Sequence, residues 1–244
     1  MSESSLRVRP PRQALNPAMA RRRAAILDQA RRIIGRSGFS ALTLRDLARA
    51  AEVTVPTIYN LVGNKNALLL TLLEDLVHRL EASLTREQFP DPLTMAEAVI
   101  IESTRVFQED EDFSRAALLV AEHVEQSLNA DGDTSGILDI SQRAVQLPIN
   151  ACLSARDAGL LRGTIAAEEL GRQIYRGYRT AWRDWAYRLV DNETFRNEGL
   201  RGTYICLAAD AVPAFHQELT QRIAALDVGS SCGNATSEGL EHDG

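Results

Sequence analysis

The chain has 244 residues, of which 45% are hydrophobic and 5% aromatic, so it is long enough for one large domain or two small ones. Glycine and proline are scarce, at 15 and 8 residues, and this composition favours an all-α fold. No apolar run reaches the roughly 18 residues that a membrane span needs. The N-terminus has no apolar stretch typical of a signal peptide, so we expect a cytoplasmic protein without a membrane partner.

The charge is distributed unevenly along the chain. The net charge of −6 argues against a nucleic-acid partner if the chain is taken as a whole. Residues 1–65 nevertheless contain twelve Lys+Arg and only four Asp+Glu, whereas the remaining chain contains 15 and 29. This asymmetry predicts a basic N-terminal part suited to a polyanion, followed by an acidic part that is kept away from it.

The basic part begins with a predicted disordered arm over residues 1–15, which contains Arg7, Arg9 and Arg12. Asn16 and Pro17 then form a typical helix start, an N-cap followed by proline at the first helical position. The first helix is predicted to extend to about residue 37, with Gly38 as its stop.

Two short helices and one long helix follow. Thr43 is predicted to cap a helix over residues 44–51, and Thr54 a third helix that ends near Leu61. Two short helices joined by a tight turn and preceded by a longer helix outline a helix-turn-helix. A fourth helix over residues 64–84 is predicted to present a leucine face, formed by Leu69, Leu72, Leu73, Leu76 and Leu80.

The acidic part is predicted to be a second helical domain over residues 85–227. A proline-containing stretch over residues 85–94 marks the boundary with the domain of residues 16–84. Helices are predicted over 95–108, 112–129, 135–158, 166–190 and 194–226, with kinks at Pro148 and Pro213. Residues 228–244 are predicted to be a disordered tail. Cys152, Cys206 and Cys232 lie far apart without a CxxC spacing, so neither a disulfide framework nor a zinc site is indicated.

Several residues at fixed spacings lie between positions 38 and 69: Gly38-Phe39, Thr43, Ala48, Ala51, Val53, Thr57 with Ile58-Tyr59, and Lys65 with Leu68-Leu69. With them, residues 24–70 resemble the TetR family of bacterial transcriptional regulators. Glu52 and Val62 depart from the family pattern, which usually has a turn glycine and an aromatic residue at these positions. The resemblance implies an N-terminal three-helix helix-turn-helix domain, joined by a long helix to a larger helical ligand-binding and dimerisation domain.

The resemblance also implies that the third helix enters the major groove of a double-stranded DNA operator. Its short first-turn residues allow close approach to base edges, Tyr59 is suited to a phosphate, and Asn60 to either. Lys65 lies at a helix N-terminus, where a cation is unfavourable unless an anion arrives, so we expect a phosphate contact. The alternative is a solvated surface lysine. The expected DNA-binding residues are Thr43, Arg45, Thr54, Val55, Pro56, Thr57, Tyr59, Asn60 and Lys65. The arm of residues 1–15 either enters an adjacent minor groove or is an ordinary disordered tail.

The predicted helix over residues 166–190 has an aromatic face formed by Tyr175, Tyr178, Trp182, Trp185 and Leu189. This face is either core packing, the wall of a ligand pocket or a dimer surface. The candidate ligand-binding residues are Phe107, His123, Tyr178, Trp182 and Trp185. The family forms dimers through its last two long helices, which implies a homodimer through residues 166–190 and 194–226.

The predicted function is that of a repressor released from a palindromic operator by a small apolar or aromatic effector. A DNA-binding regulator without an effector remains an alternative, as does a helical enzyme or ligand carrier. No Gly-rich phosphate loop, nucleophile elbow or metal-ligand spacing occurs, so we expect no catalytic residue, metal or cofactor.

Overall fold

The computed structural model describes residues 16–86, 89–126 and 135–233, and these residues form α-helices without a β-strand. The all-α prediction is therefore confirmed for this part of the chain. The helices are α1 (Pro17–Ala41), α2 (Leu44–Ala50), α3 (Val55–Leu61), α4 (Lys65–Arg86), α5 (Pro92–Gln108), α6 (Glu111–Gln126), α7 (Ser135–Asp157), α8 (Ala167–Ala186), α9 (Asn192–Ala208) and α10 (Pro213–Gly233).

The first three helices, called the head below, start at the caps that the sequence predicts. The Asn16 side chain accepts hydrogen bonds from two backbone amides of α1, and the hydroxyls of Thr43 and Thr54 cap α2 and α3 in the same way. Gly38 interrupts α1 because its φ of 78° is not helical, and a left-handed backbone of this kind favours glycine. The helix-turn-helix outline is confirmed.

Helices α5 to α10 form the body, and here the sequence placed several ends wrongly. Helix α5 starts at Pro92 instead of residue 95, because the Asp91 carboxylate caps it at the backbone amide of Thr94. The predicted helix over residues 194–226 is in fact two helices, separated by a turn at residues 209–212. Pro213 therefore begins α10 and does not kink a continuous helix. Helix α10 also continues to residue 233, beyond the predicted start of the disordered tail.

Helix α4 connects the head to the body through a shared hydrophobic core. The predicted leucine face of α4 is confirmed, since Leu72 is 0% exposed and Leu76 is 4% exposed. One continuous cluster of buried residues runs from Ile34 in α1, through this face, to Phe113 in α6 and Trp185 in α8. A helix-to-helix contact lies beside it, where a Cβ added to Gly35 would come within 3.1 Å of the Phe113 backbone nitrogen. The head is therefore packed against the body.

The predicted arm over residues 1–15 and residues 234–244 of the predicted tail lie outside the described residues. Within the described part, no helix is both long enough and apolar enough to cross a membrane.

Candidate functional site

The exposed face of α3 consists mainly of residues that the sequence assigned to DNA. Ile58 points inward and is 0% exposed, whereas Tyr59 is 55% exposed. Pro56 and Asn60 are also exposed, and Val55 and Thr57 are half-buried. Ile58 anchors α3 to the head, and Val55 and Leu61 pack against the same core. The exposed side chains of α3 are therefore available to an external partner.

The first turn of α3 is fixed by two threonines. The Thr54 hydroxyl accepts a hydrogen bond from the Thr57 backbone amide at 3.3 Å, and the two hydroxyl oxygens lie 2.8 Å apart. One hydroxyl must donate to the other at that distance. Whichever hydroxyl donates, the pair retains one hydrogen to donate and two lone pairs to accept, so it offers polar atoms beside the Val55 and Thr57 methyl groups.

The N-terminus of α2 forms a second exposed polar surface. The Thr43 hydroxyl accepts from the Asp46 backbone amide at 3.1 Å and donates to the Asp46 carboxylate at 2.6 Å. Arg49 pairs with the same carboxylate, at 3.2 Å. Arg45 is exposed on this surface, where its cation is available to a polyanion.

Lys65 has local partners that the sequence did not reveal. Its Nζ donates to the carbonyl oxygen of Ser40 at 3.1 Å and lies 4.6 Å from the centroid of the Phe39 ring. The ammonium group therefore attaches the start of α4 to the end of α1. Lys65 is therefore more than a solvated surface lysine, and the phosphate contact stays a prediction, because Nζ retains further donor capacity.

The turn between α2 and α3 contains a strained residue. Glu52 has a φ of 54°, in the left-handed region that costs a non-glycine residue about 1–2 kcal/mol. This is the position where the family pattern usually has glycine. The backbone adopts a φ that glycine would favour, and the glutamate occupies it at an energetic cost.

The body contains two adjoining cavities between α4, α5, α7 and α8. The larger one encloses about 730 Å³ including its mouth, and its wall includes Leu76, Phe107, Glu122 and Trp182. The smaller one encloses about 450 Å³ on the same measure, and its wall is almost wholly apolar. The two walls share four residues: Leu80, Ala144, Tyr175 and Tyr178.

Tyr178 carries an unsatisfied polar atom at the junction of the two cavities. Its hydroxyl is buried and has no hydrogen-bond partner. Burial raises the pKa of this hydroxyl well above its ordinary value, and Ser103 opposes only part of the rise. The tyrosine is therefore neutral over the physiological range and retains its O–H donor.

The comparisons with known proteins agree with this architecture. A sequence model described as "Bacterial regulatory proteins, tetR family" matches residues 26–72, which include α2, α3 and most of α1. This part of the chain is therefore similar to the TetR family.

Related proteins extend the comparison beyond the head. The HTH-type transcriptional regulator EthR of Mycolicibacterium smegmatis is 34% identical over 71 residues, 29% of this chain and 33% of that protein, so the match spans about a third of that relative. The structure of SmeT, the repressor of the Stenotrophomonas maltophilia multidrug efflux pump SmeDEF, superposes with a TM-score of 0.63 at 21% identity, covering 79% of this chain and 92% of SmeT. The fatty acid degradation regulator FadR of Bacillus halodurans gives 0.64 at 16% identity, covering 80% and 97%. At such identities these two structures establish the fold alone.

The larger cavity includes some of the aromatic residues proposed from the sequence and not others. Phe107, Tyr178 and Trp182 line the larger cavity. Trp185 does not, because it is 0% exposed and its indole N–H donates to Asn192. His123 is exposed and lies outside both walls. Leu189, which was placed on the same face, lies beyond the end of α8 and is 72% exposed.

Sequence reasoning missed Phe195, which organises the aromatic cluster beneath the cavity. Its ring lies 5.4 Å from Trp185, 5.9 Å from Tyr178 and 6.3 Å from Phe107, measured between centroids. Phe195 belongs to α9, and no local pattern distinguishes it there. The guanidinium of Arg115, 4.1 Å from the Trp185 ring centroid, covers the same cluster.

No cluster of three or more His, Cys, Asp or Glu side chains suited to a metal occurs among the described residues. Cys152 is buried and Cys206 half-buried, and both are free thiols. Burial raises the pKa of the Cys152 thiol to about 12, with Cys206 adding to the rise, so Cys152 is not ionised at neutral pH.

Proposed function

We propose that this chain is a homodimeric transcriptional repressor that binds a palindromic DNA operator through α3 and is released by an apolar or aromatic effector bound in the body. The observation that carries DNA binding is the exposed first turn of α3, where Thr54 and Thr57 hold their hydroxyls together. Short polar and methyl-bearing side chains at a helix N-terminus suit base edges in the major groove. The basic head surrounding α3 supplies the attraction to phosphate.

The DNA-binding part of the proposal is tested with duplex DNA from the flank of the protein's own gene. A gel shift should reveal a complex that an excess of unrelated duplex of the same length does not displace. Equal displacement by both duplexes would leave only non-specific attraction and would contradict sequence-specific regulation. A helical enzyme or carrier without DNA affinity would give no complex.

Two glycines support dimerisation through α8 and α9. A Cβ added to Gly177 or Gly202 would meet nothing within 4 Å, although glycine inside a helix costs about 1 kcal/mol relative to alanine. Nothing in the described part of the chain explains this cost. Ile205, one turn after Gly202, is 55% exposed. Small residues beside an exposed apolar one suit close packing of a second copy.

The dimer interface is tested by replacing both Gly177 and Gly202 with leucine. We expect the double variant to sediment as a monomer and to lose operator affinity, because a dimer holds its second head near the DNA at millimolar effective concentration. Gln217→Leu, an exposed position on α10, is the matched control and should remain dimeric. A dimeric double variant with full affinity would assign dimerisation to another surface.

The geometry supports a direct route from the cavity to the head. Helices α4 and α6 both line the larger cavity, through Leu76 and Leu118 among others. The same two helices contact α1: Arg31 pairs with Asp75 of α4 at 2.8 Å, and Gly35 packs on the α6 backbone. A ligand that moves α4 or α6 thus moves the head, and an affinity change of 5–150-fold needs about 1–3 kcal/mol of coupling.

The effector part of the proposal is tested by replacing Tyr178 and Trp182 together with leucine. A compound that releases DNA from the wild type should quench tryptophan fluorescence, and it should neither bind nor release DNA in the double variant. Undiminished release would locate the effector site outside this cavity. If no compound that occupies the cavity alters DNA affinity, the alternative of a regulator without an effector is favoured.

A further inference from the structure

The two body cavities adjoin and share part of their walls. Leu80 and Ala144 are apolar wall residues of both cavities, and Tyr178 contributes to both as well. The smaller cavity extends from there towards Val99 and Leu147, and the larger one towards Leu73 and Ile140. A ligand that fills both would have two apolar arms that meet beside Tyr178.

The hydroxyl groups around the smaller cavity differ in whether they donate a hydrogen bond within the protein. Ser103 donates to the carbonyl oxygen of Ile100 at 2.9 Å, and Thr203 donates to that of Gly199 at 2.9 Å. Both hydrogens are therefore already used inside helices. The Tyr178 hydroxyl is different, because it is buried and makes no hydrogen bond of acceptable geometry, although Ser103 lies near enough to lower its pKa. An unsatisfied buried hydroxyl costs free energy, which a ligand recovers if it brings an acceptor to that point.

The charged groups on the wall do not require a charged ligand. The larger cavity includes Glu122 and Arg179, which carry opposite charges, and Glu122 lies 3.8 Å from Arg183. The smaller cavity has no charged residue on its wall. A ligand ion in its apolar interior would lose its hydration without gaining a counter-ion.

From these contacts we infer that the effector is an uncharged molecule with two apolar arms and a hydrogen-bond-accepting oxygen between them, to which Tyr178 donates. The inference rests on the proposed effector function and narrows it to one chemical class. Tyr178 is the specificity-determining residue, because it distinguishes a carbonyl or ether at the junction from a methylene at the same place.

The test uses two probes of matched shape, benzophenone and diphenylmethane, which differ by a carbonyl in place of a methylene between two rings. Their affinities are measured by isothermal titration calorimetry on the full-length wild type, on Tyr178→Phe and on Ser103→Ala. The phenylalanine retains the ring and removes only the donor. Ser103→Ala removes the wall hydroxyl that interacts with Tyr178 and competes as an acceptor for its hydrogen. Circular dichroism and thermal unfolding establish that each variant is folded.

We expect the wild type to bind benzophenone about fivefold or more tightly than diphenylmethane, relative to their partition into octanol. This is the factor expected of one neutral hydrogen bond. Tyr178→Phe should lose that preference, mainly through weaker benzophenone binding, whereas Ser103→Ala should retain it.

Equal preference in the wild type and Tyr178→Phe overturns the inference and leaves the proposed apolar effector site intact. Loss of the preference in Ser103→Ala with retention in Tyr178→Phe also overturns it, because Ser103 would then be the recognising group. If the wild type binds neither probe, both the inference and the proposed site in these cavities are contradicted.

Discussion

Replacing Lys65 by alanine separates the contacts that this side chain makes within the protein from its proposed contact with DNA phosphate. The variant loses the hydrogen bond to the Ser40 carbonyl at 3.1 Å and the contact with the Phe39 ring at 4.6 Å. A hydrogen bond of this kind is worth about 0.5–1.5 kcal/mol and an exposed cation–π contact about 0.5–1 kcal/mol. Removing a cation from a helix N-terminus raises the unfolding free energy by about 0.3–1 kcal/mol, because the helix dipole disfavours a positive charge there. The net loss of unfolding free energy should therefore be about 1 kcal/mol.

The proposed phosphate contact adds a second, independent effect. Each lost phosphate contact reduces the magnitude of the slope of log K against log salt by about 0.9, so a dimer should lose about 1.8. Affinity should fall by a similar factor for operator and unrelated DNA, because phosphate carries no sequence information. Fluorescence anisotropy between 50 and 200 mM salt, roughly the range over which such contacts change affinity most visibly, measures both quantities.

Two variants serve as controls for Lys65→Ala. Lys65→Arg retains the cation and should retain the slope. Arg196→Ala removes an exposed cation from α9 in the body and should leave the slope unchanged. If Lys65→Ala lowers stability but leaves the slope at the wild-type value, the lysine serves only to attach α4 to α1 and the phosphate contact is refuted.

Three further predictions concern single residues. Glu52→Gly should raise the unfolding free energy, measured by urea titration, by about 0.5–1 kcal/mol, because glycine relieves the strain of the positive φ of 54°. Glu52→Ala should not raise it. Equal effects of the two substitutions would mean that the backbone of the turn is not strained. Asp210 accepts hydrogen bonds from the backbone amides of Gly163 and Thr164, and although burial alone would raise its pKa, these bonds hold it below the ordinary 3.8. The stability lost in Asp210→Asn should therefore be constant well above the ordinary pKa of 3.8 and shrink as the pH falls below it, through the lowered pKa of the folded state. A loss that grows on acidification would contradict this reasoning. Thr57→Val removes the hydroxyl and retains a methyl group, and it should change the ranking of operator variants more than Thr57→Ser, which retains the hydroxyl. A uniform loss of affinity across operators would exclude base reading by this residue.

The head could be predicted in detail because its signals are local. Asn16, Thr43 and Thr54 are caps whose hydrogen bonds join residues two or three positions apart, and each therefore appears in the sequence as a short pattern. The departure at Glu52 could be interpreted as backbone strain for the same reason, since one turn position determines the φ that its residue must adopt.

The body could be predicted only in outline because its decisive contacts are between distant residues. The break between α9 and α10 depends on Asp210, whose carboxylate binds the loop near Thr164. The sequence pattern does not reveal this tertiary contact, and it therefore predicts one continuous helix over residues 194–226. Likewise, the aromatic pattern correctly predicted which side of α8 faces the core. Whether Trp182 or Trp185 lines the cavity depends on Phe195 and Arg115, which belong to other helices. The partners of Lys65 were missed for the same reason.

Selection of sequences from a pool of random duplex DNA by the full-length protein tests the central claim most directly. The account predicts enrichment of an inverted repeat whose half-sites lie about one helical turn, or a multiple of it, apart. Variation at Thr57 should shift the enriched bases within each half-site. Enrichment of no sequence, or of a single half-site without its inverted copy, would contradict a homodimer that reads DNA through α3.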